Sequence, residues 1–216
     1  IAIITAEDRD YQFVKYHDIN FNKYAQIHGY SYFRLDNCPK DVSSTYWCKI
    51  HRVKEFLDSG EYDYVLWADS DTIIPDSSKS LDQFISTIGE PDIIMAKYQS
   101  TLPLDNAFCA GLFLIKNSDI SKSFINDCLS KIKSKTGCII NGKEQGPWGG
   151  ICYEEGTMNL LIREKYRDYT YIDNKYLLNL PYSFGRKYND KDSNAIVVHL
   201  AGYPGDVREE FFKQYI

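Results

Sequence analysis

Residues 62–68, Tyr-Asp-Tyr-Val-Leu-Trp-Ala, are apolar or aromatic apart from Asp63, and they run directly into Asp69-Ser70-Asp71. A near-continuous apolar run of this length is a strand covered on both faces, the habit of parallel sheets flanked by helices. Other β-branched or aromatic runs at 1–5, 30–35, 93–96, 112–116, 169–172 and 195–200 alternate with helical patterns at 11–28, 47–57, 118–133 and 154–165. The alternation predicts one α/β domain over residues 1–216, with a central, mostly parallel, Rossmann-like sheet flanked by helices and a polar tail after the last strand. At 216 residues and 44% hydrophobic content, the chain has enough apolar surface for one ordinary core.

The Asp-x-Asp pattern alone says little, because 20 Asp in 216 residues give about two such matches by chance. Three occur. Asp8/Asp10 and Asp190/Asp192 lie in polar surroundings and read as solvated loop charges. Asp69 and Asp71 differ because a buried strand delivers them to the carboxyl edge of the sheet, where open α/β sheets bind ligands. Two adjacent carboxylates repel unless a cation sits between them, and Mg²⁺ or Mn²⁺ prefers carboxylate oxygens and substrate phosphates. The competing reading is a capping Asp pair, since Asp76 and Ser77 follow closely.

His17 and His28 fall in the first helical pattern and read as surface or packing residues. His199 ends the apolar run 195–198 and precedes Leu200-Ala201-Gly202-Tyr203-Pro204-Gly205, a turn whose glycines admit backbone N–H groups close to a ligand. A lone strand histidine is more often a satisfied core residue; with an Asp pair and a glycine turn in the chain, it becomes a candidate third metal ligand. Residues 135–152 hold five of the 13 glycines, with Pro147 and Trp148, a composition that suits a lid or the wall of a site.

A net charge of −5 argues against duplex nucleic acid as a partner. No stretch approaches the ~18–20 consecutive apolar residues of a membrane span. The six cysteines (Cys38, Cys48, Cys109, Cys128, Cys138, Cys152) form no CxxC pair and read as mostly reduced thiols, which favours a cytoplasmic setting. The chain opens at Ile1 inside a strand-like run, as a piece of a longer polypeptide with further domains would.

Four ordered segments carry a family resemblance. They are Tyr46-Trp47-Cys48-Lys49-Ile50 ahead of Asp69-Ser70-Asp71; Cys109-Ala110-Gly111-Leu112-Phe113-Leu114-Ile115-Lys116-Asn117-Ser118; Glu154-Glu155 before 157–162; and Val197-Val198-His199-Leu200-Ala201-Gly202. Together they resemble the retaining GT-A-fold glycosyltransferases that include yeast galactosyltransferases and plant xyloglucan xylosyltransferases. The compact length is similar to the first domain of multidomain glycosyltransferases encoded by large DNA viruses of green algae, which would place the chain in host cytoplasm.

The resemblance implies a UDP-sugar donor, a glycan acceptor and Mn²⁺ or Mg²⁺. It implies that Thr5, Ala6 and Glu7 with Arg9 receive the uridine, and that Lys49 approaches the diphosphate. Ser70, Ala110, Gly111 and the Gly202 backbone would face the donor, and Asp69, Asp71 and His199 would hold the metal. Glu154 and Glu155 are the implied catalytic carboxylates; Glu155 matches the family's acidic or amide position, with orientation and charge stabilisation as its role. Both carboxylates also suit a helix N-terminus. Trp148 is the candidate acceptor contact. The sequence departs from the family where Asn is replaced by Cys109, and where a basic residue is missing at Gly205, with Arg208 close behind.

Two other readings compete. Haloacid-dehalogenase-type phosphohydrolases also end a buried strand in Asp-x-Asp, but on the first strand and with Thr or Ser four residues after the first Asp, where this chain has Ile73. A non-catalytic nucleotide-sugar or glycan-binding module would keep the fold without turnover.

Overall fold

The computed structural model describes residues 1–7, 9–35, 38, 44–97, 108–134, 137–147, 149–181 and 194–216. Its main sheet joins β1 (Ala2–Ala6), β2 (Ser31–Leu35), β3 (Tyr64–Ala68), β5 (Ile93–Lys97), β6 (Phe108–Lys116) and β9 (Thr170–Asp173) in the order β2-β1-β3-β6-β5-β9. Only β6 runs against the others, pairing antiparallel with both β3 and β5. A smaller sheet, β10-β11-β4, is built from β4 (Thr72–Ile73), β10 (Asn179–Pro181) and β11 (Val197–His199). The glycine-rich segment carries a short hairpin, β7 (Ile139–Ile140) with β8 (Lys143–Glu144).

Alternation along β3 builds the two sides of the core. Val65 and Trp67 face α2 (Cys48–Ser59), α4 (Asp119–Ser134) and α5 (Glu154–Leu161), packing with Ile50, Val53, Phe124 and Met158. Leu66 and Ala68 face α1 (Gln12–His28) and α3 (Leu81–Thr87), packing with Phe21, Tyr24 and Phe84. All five β3 residues are buried, as a strand between two helical layers requires. Gly29 and Gly60 close α1 and α2 at φ 71° and 70°, a left-handed turn that costs glycine nothing.

Three sequence expectations are corrected. The strand read at 112–116 starts at Phe108, because β5 pairs with Phe108 and Cys109 beyond a register shift and so carries the strand across Ala110 and Gly111, whose own strand propensity is weak. The polar tail contains α6 (Gly205–Phe212), anchored by buried Phe212, whose ring meets Phe13 edge-on at 6.1 Å. The cysteines are not mostly reduced: Cys38 pairs with Cys48 and Cys138 with Cys152, while Cys109 and Cys128 are free and buried. The bridged residues sit 10 and 14 positions apart with no sequence signature, yet the fold brings their Cα atoms to 5.2 and 5.1 Å. This removes the thiol argument for a cytoplasmic setting. No helix among the described residues is long and apolar enough to cross a membrane.

His17 is a packing residue, fully buried against Phe21 at 4.2 Å, and its Nδ1–H donates to the Thr72 carbonyl at 2.8 Å. Burial holds its pKa below the ordinary value, against the Thr72 carbonyl and Asp18, which favour the charged form. A depressed folded pKa means that stability is intact above about pH 6.5 and falls as pH drops from there through the folded value. The wild type is therefore expected to lose up to about 1.4 kcal/mol per pH unit more than His17→Asn between pH 6.5 and 5. Parallel melting curves of the two proteins against pH check this; equal slopes would refute it.

Candidate metal and donor site

Asp69-Ser70-Asp71 is the passage from β3 in the large sheet to β4 in the small one, and both ends are fixed. The Asp69 N–H donates to the Gly111 carbonyl at 2.7 Å, across from the start of β6. The Thr72 N–H and hydroxyl both donate to the Asp69 carbonyl, at 3.1 and 2.7 Å, closing the turn. β4 then pairs with β11, setting Thr72 opposite His199, and the Leu200 N–H donates to the Asp71 carbonyl at 2.9 Å. Residues 130 positions apart in sequence thus converge through sheet pairing.

Ligand atoms of Asp69, Asp71 and His199 all lie within 4.8 Å of one another. Two carboxylates and an imidazole at that spacing are a donor set that fits Mn²⁺ or Mg²⁺. In the structure the protein's own cations balance the acids. Lys49 Nζ lies 3.1 Å from Asp69 Oδ1 and 3.1 Å from Glu154 Oε1, and donates to the Ala110 carbonyl at 3.2 Å. Arg208 Nη2 lies 2.9 Å from Asp71 Oδ2, with its Nε donating to the Leu200 carbonyl at 3.1 Å. His199 Nε2 lies 3.0 Å from Asp71 Oδ1.

These pairings overcome burial at three of the four shifted groups. Burial opposes the Asp71 charge, but His199, Arg208 and Lys49 outweigh it and bring its pKa to about 2. Burial likewise opposes charge on His199, and Asp71 outweighs it, so the imidazole stands well above its usual range. Burial opposes the Lys49 ammonium, and Asp69 with Glu154 raises it nonetheless. At Glu154 burial wins over Lys49 and the pKa is raised; its Oε2 is buried without a hydrogen-bond partner among the described residues.

A cleft of about 530 Å³ opens over this cluster, between the carboxyl ends of β1 and β3 and the 3-10 turn Thr45–Trp47. Ala6, Glu7, Arg9, Lys49, Asp69, Ser70, Asp71 and Arg208 line it. Glu7 is held by Arg9 at 2.6 and 2.7 Å and by the Ser70 hydroxyl at 2.8 Å. Burial works against its charge, but these partners leave its pKa lowered.

Other predicted site residues stand back from the cleft wall. Thr5 is fully buried. Ala110 and Gly111 lie beneath the cleft: the Ala110 N–H donates to Glu155 Oε2 at 3.0 Å, and Gly111 leaves space that the His199 ring fills. Gly202 is exposed at φ 74° in the turn before α6. Trp148 lies outside the described residues.

Sequence reasoning missed Trp67 as a site residue. Its indole Nε1–H donates to Asp69 Oδ1 at 2.6 Å, and the signal was the period of two, which puts residues 67 and 69 on one face of the strand. It also missed the glycine-rich segment's attachment: the Trp47 indole donates to the Cys152 carbonyl at 3.2 Å, Ser44 bonds Glu144, and Tyr46 meets Tyr153 edge-on at 5.3 Å.

No protein-family profile matches the chain, and no curated protein is significantly similar to it in sequence. Solved structures are similar in fold. A glycosyltransferase involved in the glycosylation of the major capsid of PBCV-1 is 15% identical, over 99% of this chain and 98% of that one, at a TM-score of 0.70. The galactosyltransferase LgtC, solved with donor and acceptor sugar analogues, is 13% identical over 100% and 96% at 0.53. GlyE of Streptococcus pneumoniae TIGR4, a glycosyltransferase, is 15% identical over 99% of this chain and 59% of its own at 0.58. The fold is accordingly the GT-A α/β fold that these enzymes share.

Proposed function

We propose that the chain is a metal-dependent glycosyltransferase that moves a sugar from a UDP-sugar to a hydroxyl of a glycan acceptor, with retention of anomeric configuration. The observation that carries this reading is the convergence of Asp69, Asp71 and His199 at the carboxyl edge of a GT-A-type sheet, under a cleft large enough for a nucleotide. The family resemblance supports the donor class, retention and the likeness to algal-virus enzymes.

In this reading Ala6, Glu7 and Arg9 receive the uridine, with Glu7 held in place by Arg9 and Ser70. Asp69, Asp71 and His199 would hold Mn²⁺ or Mg²⁺, which supplies charge stabilisation to the departing diphosphate. Lys49 and Arg208 keep the two carboxylates apart and correctly turned, and add positive charge where the diphosphate lies; Arg208 supplies the cationic side chain missing at Gly205. The bond from the anomeric carbon to the diphosphate breaks as the bond to the acceptor oxygen forms on the same face, and the acceptor proton passes to the leaving phosphate oxygen. Glu155 fixes the entry of β6 through the Ala110 N–H, and Glu154 completes the ion pair of Lys49; both act by orientation and charge. Trp148 is the proposed acceptor contact.

The test is a panel of UDP-sugars in Mn²⁺ or EDTA, reading binding by calorimetry and UDP release with and without glycan acceptors. Tight binding and UDP release only with the cation are expected. Binding without turnover would favour a non-catalytic nucleotide-sugar or glycan-binding module, and phosphate release from phosphomonoesters would favour a phosphohydrolase. Equal donor affinity in EDTA and Mn²⁺ would overturn the metal role.

A further inference from the structure

His199 is gripped from three sides. Its Nε2 edge meets Asp71 Oδ1 at 3.0 Å, its Nδ1 edge meets Cys109 Sγ at 3.3 Å, and its Cε1 occupies the space a side chain at Gly111 would need. Cys109 and His199 are both buried, and among the described residues Cys109 is the partner that reaches Nδ1. We infer that Cys109 is a positioning residue, whose sulfur keeps the His199 ring proton on Nδ1 and so presents the Nε2 lone pair to a divalent cation shared with Asp69 and Asp71. This rests on the metal-site reading above.

The chemistry follows from the imidazole. A neutral ring has one N–H and one lone pair, and only the nitrogen bearing the lone pair ligates a metal. In the structure Nε2–H donates to the Asp71 carboxylate at 3.0 Å; a divalent cation would take the place of that proton, and the ring would keep the one on Nδ1. A buried Nδ1–H without an acceptor is costly, so the ligating tautomer is favoured when an acceptor faces Nδ1. A thiol is a weak acceptor that also packs as a small apolar group, which suits a contact buried beneath the cleft. Gly111 completes the arrangement: with a Cβ at that position the ring would have to swing out of the line between sulfur and carboxylate. The amide-to-thiol departure at position 109 thereby acquires a role directed at the histidine.

The experiment measures Mn²⁺ affinity of the intact chain by electron paramagnetic resonance, with Mn²⁺ alone and with Mn²⁺ plus UDP. Cys109→Val fills the volume without an acceptor, and it is expected to weaken Mn²⁺ binding about 10-fold or more, whereas Cys109→Ser, which restores an acceptor, stays within about 3-fold of wild type. Cys109→Ala, read beside melting curves, stands in if the valine does not fit. Co²⁺-loaded wild type is expected to show no thiolate-to-metal absorption band. Wild-type Mn²⁺ affinity in the folded Val or Ala variant would overturn the inference, as would a thiolate band that Cys109→Ser abolishes, since the sulfur would then be a ligand. His199→Ala separates the two levels: if it leaves Mn²⁺ binding unchanged, the metal-site reading itself falls.

Discussion

Asp69→Asn is expected to cut Mn²⁺-assisted UDP binding by at least about 100-fold while leaving the melting temperature within a few degrees of wild type. Losing an outer partner of a metal site costs about 10–100-fold, so losing a ligand belongs at or beyond the upper end of that range. Stability is spared because Lys49 keeps Glu154 at 3.1 Å and the Ala110 carbonyl at 3.2 Å when the Asp69 charge goes. Asp71→Asn is expected to behave differently. Its side chain is 17% exposed and serves both His199 and Arg208, which are 4% and 15% exposed. Removing it leaves the part-buried Arg208 guanidinium facing a neutral amide and strips buried His199 of its counter-charge, a change that costs about 3 kcal/mol, the lower end of the range for broken buried pairs. For a chain of this size that lowers the melting temperature by roughly 10 °C, in addition to abolishing cation-assisted binding. Calorimetry in Mn²⁺ and in EDTA, paired with melting curves, separates the two. Intact cation-assisted binding in Asp69→Asn would remove that carboxylate from the metal site, and an unshifted melting temperature in Asp71→Asn would show that the His199 and Arg208 pairs contribute little.

What the sequence carries and what it withholds follow from the range of the interactions. β3 was legible because its burial on both faces is written in consecutive residues, and its end at Asp69 followed from that. α1 and α2 were legible through their spacing and through Gly29 and Gly60, which mark their ends locally. α6 was not, since Phe212 is its one buried side chain and most of its remaining residues are polar; Arg208 on Asp71 and Phe212 on Phe13 hold it, and neither partner is near in sequence. The candidate site divides in the same way. Asp69, Asp71, His199 and Lys49 were named as types at strand and helix ends, but the Lys49 bridge from Asp69 to Glu154 joins β3, α2 and α5, and only the assembled sheet brings them within 3.1 Å. Cys109 stood out in sequence as a departure, and its contact with His199 exists only because the end of β11 brings that ring against the entry of β6.

The two disulfides give the second large expected effect, because each ends beside the Lys49–Glu154 ion pair. Cys48 directly precedes Lys49, and Cys152 lies two residues before Glu154, with its carbonyl held by the Trp47 indole. The bridges therefore fix both backbone segments from which the ion pair projects: the start of α2, and the glycine-rich segment leading into α5. Closing loops of 10 and 14 residues removes chain entropy from the unfolded state, at roughly 2–4 kcal/mol for a bridge of this kind. Reduction by a phosphine is accordingly expected to lower the melting temperature by roughly 10 °C or more. UDP affinity should fall with it at temperatures where the reduced chain is still folded, since Lys49 and Glu154 then depend on unbraced segments. Cys138→Ser with Cys152→Ser isolates the glycine-rich segment, and Cys38→Ser with Cys48→Ser isolates the segment before Lys49. Each pair should reproduce part of the loss in an otherwise oxidised protein. Mass analysis of non-reduced peptides and a thiol count of the denatured chain read the pairing directly: two free thiols, Cys109 and Cys128, are expected. Six free thiols with an unchanged melting temperature would overturn the bracing role and restore the reading of reduced cysteines.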